Sequence, residues 1–125
     1  KNFTMYTDAS NQGTGAVLLQ ENNIIWFHSY KFKKSETNYN TIEQEFLAIF
    51  LALNHFKNIV FNAKTVIYTN NKNLIYNPDD SQKRVQKWKS LLSEFDYELR
   101  YIKGDENIIA DNLSRVFQMD GDDIY

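Results

Sequence analysis

The sequence predicts an α/β fold: a mixed five-stranded sheet, antiparallel at its start and parallel at its end, flanked by helices. Three observations point to it. Apolar runs at 3–8, 16–19 and 24–30 follow one another across short turn-forming stretches, the pattern of an antiparallel meander. The apolar period then changes from two to about 3.6 over 42–57 and back to strand character at 64–69, so a helix separates the meander from the next strand. A second helix and a further period-two run repeat the alternation, which implies crossovers into parallel strands.

Each element has its local reason. The run 3–8 reads as a short buried strand, and Gly13 and Gly15 are expected to open the turn into the second strand. Glu21-Asn22-Asn23 has hairpin-turn composition, and 24–30 is rich in β-branched and aromatic residues. Thr41 is read as a helix N-cap, with Gln44 completing a capping box. Ile42, Phe46, Ile49, Phe50, Leu53 and Phe56 then recur on one helical face. Pro78-Asp79-Asp80-Ser81 is a helix-start signal, and Val85, Trp88, Leu91, Leu92 and Phe95 are expected to face inward from the helix that follows. The stretch 97–102 alternates as a strand, Gly104 ends it, and 106–117 is expected to form a last short helix. The domain is assigned to 1–117 and an acidic tail to 118–125, read as a disordered spacer.

Composition narrows the function. The chain has 125 residues, 42% hydrophobic and 15% aromatic, enough for one packed domain. It contains no cysteine, which removes disulfides, thiolate catalysis and cysteine zinc sites together. No apolar run reaches membrane-spanning length, so no membrane partner is expected. The net charge of −2 gives no global basic signature. Local basic groups exist at Lys31, Lys33 and Lys34 and at Lys83, Arg84, Lys87 and Lys89, and a plain solvated face explains them as readily as a phosphate-binding one. His28 and His55 are read as structural, since their spacing fits no zinc motif. Trp26, Phe27, Tyr30, Phe50, Phe56, Trp88 and Phe95 are read mostly as core.

The chemistry concentrates in a few acidic positions. Asp8 ends the first strand, and Asn70 ends the fourth, the first strand after a crossover helix. In open sheets sites gather at such carboxyl ends. Glu45 lies in the first turns of the crossover helix and Asp111 in the first turns of the last. Four elements can therefore deliver side chains to one spot, three of them acids. Oxygen donors converging from separate elements are what a two-magnesium phosphodiester-cleaving site needs.

These words, in this order, resemble the ribonuclease H domain of gypsy-type retrotransposon polyproteins. The matching segments are Thr7-Asp8-Ala9-Ser10 with Gly13-Thr14-Gly15-Ala16-Val17-Leu18, then Asn38-Tyr39 leading to Glu43-Gln44-Glu45-Phe46-Leu47-Ala48-Ile49. They continue with Arg84-x-x-x-Trp88 before Glu94-Phe95-Asp96-Tyr97-Glu98, and end with Glu106-Asn107-x-x-Ala110-Asp111-x-Leu113-Ser114-Arg115. The resemblance runs from about Phe3 to Arg115, nearly the whole chain. It implies a ribonuclease H-like fold and metal-dependent hydrolysis of the RNA strand of RNA/DNA hybrids. It also implies two Mg²⁺ ions, with Mn²⁺ as a substitute, held at Asp8, Glu45, position 70 and Asp111. By the same resemblance Asp8 bridges both ions, Glu45 helps hold one, and Asp111 holds the water-activating ion.

The departure is at position 70, where the family has Thr-Asp-x-Lys-x-Leu and this chain has Thr69-Asn70-Asn71-Lys72-Asn73-Leu74. Cleavage is expected to fall by orders of magnitude while hybrid binding persists. Ser10, Asn11, Lys72, Lys83, Arg84 and Lys87 are the candidate nucleic-acid contacts. The implied partners are the RNA/DNA hybrid and the polymerase domain of a reverse transcriptase in the same polyprotein. The implied place is intracellular, in the cytoplasm and a virus-like particle. The competing reading is a non-catalytic ribonuclease H-like domain that binds nucleic acid or acts as a scaffold. An integrase-like nuclease fits the glycine turn and the Ala110-Asp111-x-Leu113-Ser114-Arg115 ending less well.

Overall fold

A computed structural model describes residues 2–76, 82–107 and 110. Its sheet has five strands in the order β3-β2-β1-β4-β5. β1 (Asn2–Ala9), β2 (Gly13–Gln20) and β3 (Asn23–Lys31) form the antiparallel meander. β4 (Lys64–Thr69) and β5 (Asp96–Tyr101) extend the sheet in parallel on the other side of β1. This is the mixed sheet expected from the alternation of periods.

The crossover between β1's side of the sheet and β4 is α1 (Thr41–His55) followed by the single-turn α2 (Lys57–Val60). The second crossover carries α3 (Asn73–Tyr76) and α4 (Lys83–Leu91). Phe3, Met5, Ala16, Leu18 and Ile67 send their side chains to one face, where Phe46, Ile49, Leu53 and Phe56 of the α1 segment meet them. Fully burying each such side chain contributes roughly 1.5–3 kcal/mol, so this sandwich of helix on sheet is the main source of stability. On the opposite face Tyr6, Val17, Leu19 and Ile24 border a cleft of about 300 Å³, closed at one end by Asn107 and Ala110.

Several local expectations are corrected. Gly13 and Gly15 lie inside β2 rather than in the turn, which is made by residues 10–12. Gly13 is needed for close approach: a Cβ there would collide with the backbone carbonyl of Tyr30 on β3. The helix cap is Asn40, not Thr41, and the capping box closes with Glu43, not Gln44. Both residue types can cap, and the choice one residue earlier places a carboxylate where it bonds back to the cap backbone. The β2–β3 hairpin closes on Glu21 and Asn22, both at positive φ (53° and 67°), as a two-residue primed turn requires.

Leu91 is 59% exposed at the end of α4, where the helix no longer faces the core, whereas Leu92 is fully buried. Trp26 (60% exposed) and Phe27 (47%) are not core residues. They sit on edge strand β3, beside a register shift at Leu18/Leu19 that turns Ile25 inward instead. α3 has no clear sequence signal. The expected helix start at 78–81 and the last helix beyond Ala110 lie outside the described residues. Before that point the chain makes a 3₁₀ turn at Gly104–Glu106.

Candidate metal and nucleic-acid site

Strand register decides which side chains share a face. β1 and β4 run parallel with Tyr6 opposite Tyr68, and the two rings stack at 5.1 Å. Two residues further along each strand, Asp8 and Asn70 lie in line on the same face, at the carboxyl ends of neighbouring strands. The tyrosine pair forms the floor beneath them. Burial, and then the neighbouring Tyr68 phenol, push the Tyr6 hydroxyl above its ordinary range.

The path of the chain brings α1 to the same end. β3 runs parallel to β1 and finishes beside the β1–β2 turn, where the Phe32 amide donates to the Gln12 carbonyl (3.0 Å). α1 begins nine residues later (Thr41) and runs back along the sheet, so its first turns lie at the Asp8 end. Glu45 is in those turns and is 7% exposed; Asp8 is 2% exposed. Asn70 caps the end of β4, its Oδ1 buried and without a hydrogen-bond partner among the described residues. Its amide nitrogen lies against Gly104, 3.6 Å from where a Cβ would stand.

The C-terminal loop closes on this end of the sheet. The Ile102 amide donates to the Thr69 carbonyl (2.9 Å), and the Asn107 side-chain amide donates to the carbonyl of Thr7 (2.8 Å), the residue before Asp8. Asn107 is 2% exposed. In the sequence Asn107 stands out only as part of a motif. Its position four residues before Asp111 is the available signal that it anchors the approach to that acid. Asp111 itself lies outside the described residues. Asp8, Glu45 and Asn70 are thus delivered to one end of the sheet by three elements, and all offer oxygen.

The candidate nucleic-acid contacts divide. Ser10 is buried in the β1–β2 turn, its amide donating to Gly13 (2.9 Å) and its Oγ accepting from Gln12 (3.1 Å). Asn11 is exposed at the tip of that turn. Lys72 is exposed, with its Nζ 5.2 Å from the centre of the Tyr101 ring. Lys83 and Lys87 are exposed one helical turn apart on α4. Arg84 is engaged within the protein: a 3.0 Å hydrogen-bonded ion pair with Glu43, and its guanidinium 4.4 Å over the Tyr39 ring. The Glu43 hydrogen bond holds the Arg84 guanidinium above its usual range. Of the two histidines, His28 packs its ring against His55 of α1 at 4.2 Å.

Comparison with known proteins agrees with this architecture. Residues 1–95 match the model of the RNase H-like domain found in reverse transcriptase. The Pol polyprotein of transposon 297 from Drosophila melanogaster is 37% identical over 118 residues, covering 93% of this chain and 11% of the polyprotein. That of transposon gypsy is also 37% identical over 118 residues, covering 92% and 11%. The Tf2-3 polyprotein of Schizosaccharomyces pombe is 32% identical over 127 residues, covering 93% and 10%. The chain therefore spans about a tenth of the length of these relatives. Among solved structures, RNase H1 from the archaeon Halobacterium salinarum superimposes with a TM-score of 0.72 at 19% identity, over 90% of this chain and 94% of that one. LC11-RNase H1, crystallised with an RNA/DNA hybrid, gives 0.72 at 18%, over 89% and 92%. The fold is that of the ribonucleases H, and this chain belongs to the family of RNase H-like domains found in reverse transcriptases, as borne by retrotransposon Pol polyproteins.

Proposed function

We propose that this domain is a metal-dependent endonuclease for the RNA strand of RNA/DNA hybrids, acting during retrotransposon reverse transcription and weakened by Asn70. The observation that carries the reading is the shared position of Asp8 and Asn70 on one face, with Glu45 entering from the same end.

The residues fit a hard divalent cation. Two nearly buried carboxylates and a buried amide oxygen make an all-oxygen donor set, and the Asn70 Oδ1 has no other partner among the described residues. Asp8, Glu45, Asn70 and, outside the described residues, Asp111 would hold Mg²⁺, with Mn²⁺ as a substitute. Two such ions, when bound, activate a water for in-line attack and neutralise charge on the leaving oxygen. Asp8 would present its carboxylate to such ions from the central strand of the sheet. Glu45 supplies the second charge from α1. Asn70 supplies an oxygen but no charge. A carboxylate at that position would attract a dication by about 2 kcal/mol at 4 Å in water and about 8 kcal/mol at an effective permittivity near 20. The loss is therefore at least ~30-fold in affinity or rate.

The substrate is read by shape, through 2′-hydroxyl and phosphate contacts rather than base edges. Asn11, Lys72, Lys83 and Lys87 are the exposed groups available to phosphates, with Ser10 shaping the turn that carries Asn11. Because the relatives are Pol polyproteins, the polymerase domain of the same polyprotein is the expected neighbour, and a cytoplasmic virus-like particle the expected setting. No described helix is long and apolar enough to cross a membrane. The domain is assigned to 1–117, with 118–125 as a tail.

The test is Mg²⁺-dependent cleavage of a labelled hybrid by this chain and by its Asn70→Asp variant. The expected result is cleavage at least ~30-fold faster by the variant. If both proteins are folded and neither cuts, the competing reading, a non-catalytic binding or scaffolding domain, replaces this one. Asn70 is the feature that favours that alternative.

A further inference from the structure

The Arg84-x-x-x-Trp88 segment stands out in the sequence, and the site above leaves it without a role. Its two side chains stand one helical turn apart on α4, and both reach α1. Arg84 donates to Glu43 Oε2 at 3.0 Å and covers the Tyr39 ring. Glu43 is only 8% exposed and uses its other oxygen to accept from the Asn40 amide (2.9 Å), while Asn40 Oδ1 accepts from the Glu43 amide (2.8 Å). Asn40 in turn donates from its side chain to Gln82, just before α4 (3.0 Å). Trp88 stacks on Phe46 with the two rings 1° from parallel, and on Phe50 at 5.8 Å.

Glu45 lies between these two grips. Residue 43 is tied by an ion pair to Arg84, residue 46 by ring stacking to Trp88, and the cap at residue 40 by a hydrogen bond to Gln82, all from α4 and the residue before it. We infer that Arg84 and Glu43 are positioning residues: they strap the first turns of α1 to α4 and so hold the Glu45 carboxylate where the site needs it. This rests on Glu45 being a metal ligand, as proposed above. The ion pair is not an exposed i,i+4 decoration. It joins residues 41 apart in the chain; its Glu43 side is buried in the helix cap, while the Arg84 side chain, 55% exposed, lies over the Tyr39 ring. Removing it frees the entry of α1 to rotate about the Phe46–Trp88 contact, and a small rotation moves a carboxylate out of a coordination sphere. The strap also engages Arg84 with Glu43 and Tyr39, while Lys83 and Lys87 stand exposed beside it on α4.

The experiment is a Mn²⁺ titration of the isotope-labelled chain, following paramagnetic broadening of the amide signals around Asp8 and Glu45. Arg84→Ala, Glu43→Gln, the double variant and Glu45→Gln are compared. Glu43→Gln keeps the hydrogen bonds of the capping box and loses the ionic partner, so it reports on the strap even where Arg84→Ala fails to fold. Arg84→Ala and Glu43→Gln are each expected to weaken Mn²⁺ about tenfold, the double no more than either single. The salt dependence of hybrid binding is expected to stay unchanged. Full Mn²⁺ affinity in both singles overturns the inference. A hybrid-binding salt slope lower by about one in Arg84→Ala, with Mn²⁺ affinity intact, makes Arg84 a phosphate contact instead. Glu45→Gln separates the two levels. If it leaves Mn²⁺ affinity unchanged, the ligand assignment itself falls and the positioning role with it; if it abolishes binding while both strap variants bind Mn²⁺ as tightly as wild type, only the strap falls.

Discussion

Replacing His28 by Phe should flatten the acid side of the stability profile. His28 stands on β3, half-buried, with its ring 4.2 Å from His55 and 6.4 Å from Phe56. Burial first, and repulsion from His55 second, lower its pKa from 6.5 to about 4. The folded protein therefore binds that proton less readily than the unfolded chain. The stabilisation is complete above pH 6.5 and is lost as pH falls from there toward the folded value near 4. At pH about 5, linkage between these two values amounts to about 2 kcal/mol. Half exposure to solvent reduces that to about 1 kcal/mol, or about 3–5 °C in Tm for a domain of this size. The assay is thermal unfolding of wild type and His28→Phe at about pH 7.5 and about pH 5. Carboxylates titrate in both proteins, so the difference between the two drops isolates the imidazole. Wild type should lose about 3–5 °C more than the variant. The His28 Nδ1 is buried without a hydrogen-bond partner among the described residues, so the variant should match or slightly exceed wild type near neutrality. Equal drops in the two proteins would refute the reasoning.

Two further outcomes follow from particular contacts. Gly13→Ala should destabilise by about 1–3 kcal/mol in denaturant unfolding, because the new methyl meets the Tyr30 carbonyl and cannot be relieved by a rotamer. Asn107→Ala removes the buried 2.8 Å bond to the Thr7 carbonyl; a loss of about 1–3 kcal/mol in the same assay is expected.

The parts of this fold legible in the sequence are those set by period. The apolar runs of β1 and β3, the alternation over β5 and the 3.6-residue spacing from Ile42 to Leu53 place elements within one or two residues of those observed. What was not legible depends on distant partners. Gly13 reads as a turn residue until the backbone of Tyr30 is known to pass over it. Trp26 and Phe27 read as core because an edge strand has the same composition as a central one; only strand order reveals that, among the described residues, no strand pairs on the far side of β3. Arg84 reads as a phosphate ligand because its neighbours are lysines; its ion pair with Glu43, 41 residues away, depends on how α4 packs on α1. The candidate acids were legible in their motifs, and the shared face of positions 8 and 70 needed only the parallel register of β1 on β4.

That register also explains why an amide at position 70 leaves the fold intact. The end of β4 is secured by Thr69, not by its neighbour. The Thr69 carbonyl accepts from Ile102 (2.9 Å), its Oγ1 accepts from the Asn71 amide (3.2 Å), and its side chain is fully buried. The Asn70 Oδ1 contributes no hydrogen bond among the described residues. Asn and Asp have nearly the same shape, so exchanging them changes the charge at the end of the strand and little else. Structure and charge are therefore separable here: the described scaffold accepts an amide at position 70 without drawing on its side-chain oxygen. The same separability makes Asn70→Asp a clean test of the proposed function, since a gain in cleavage would come from the added charge rather than from a rebuilt site.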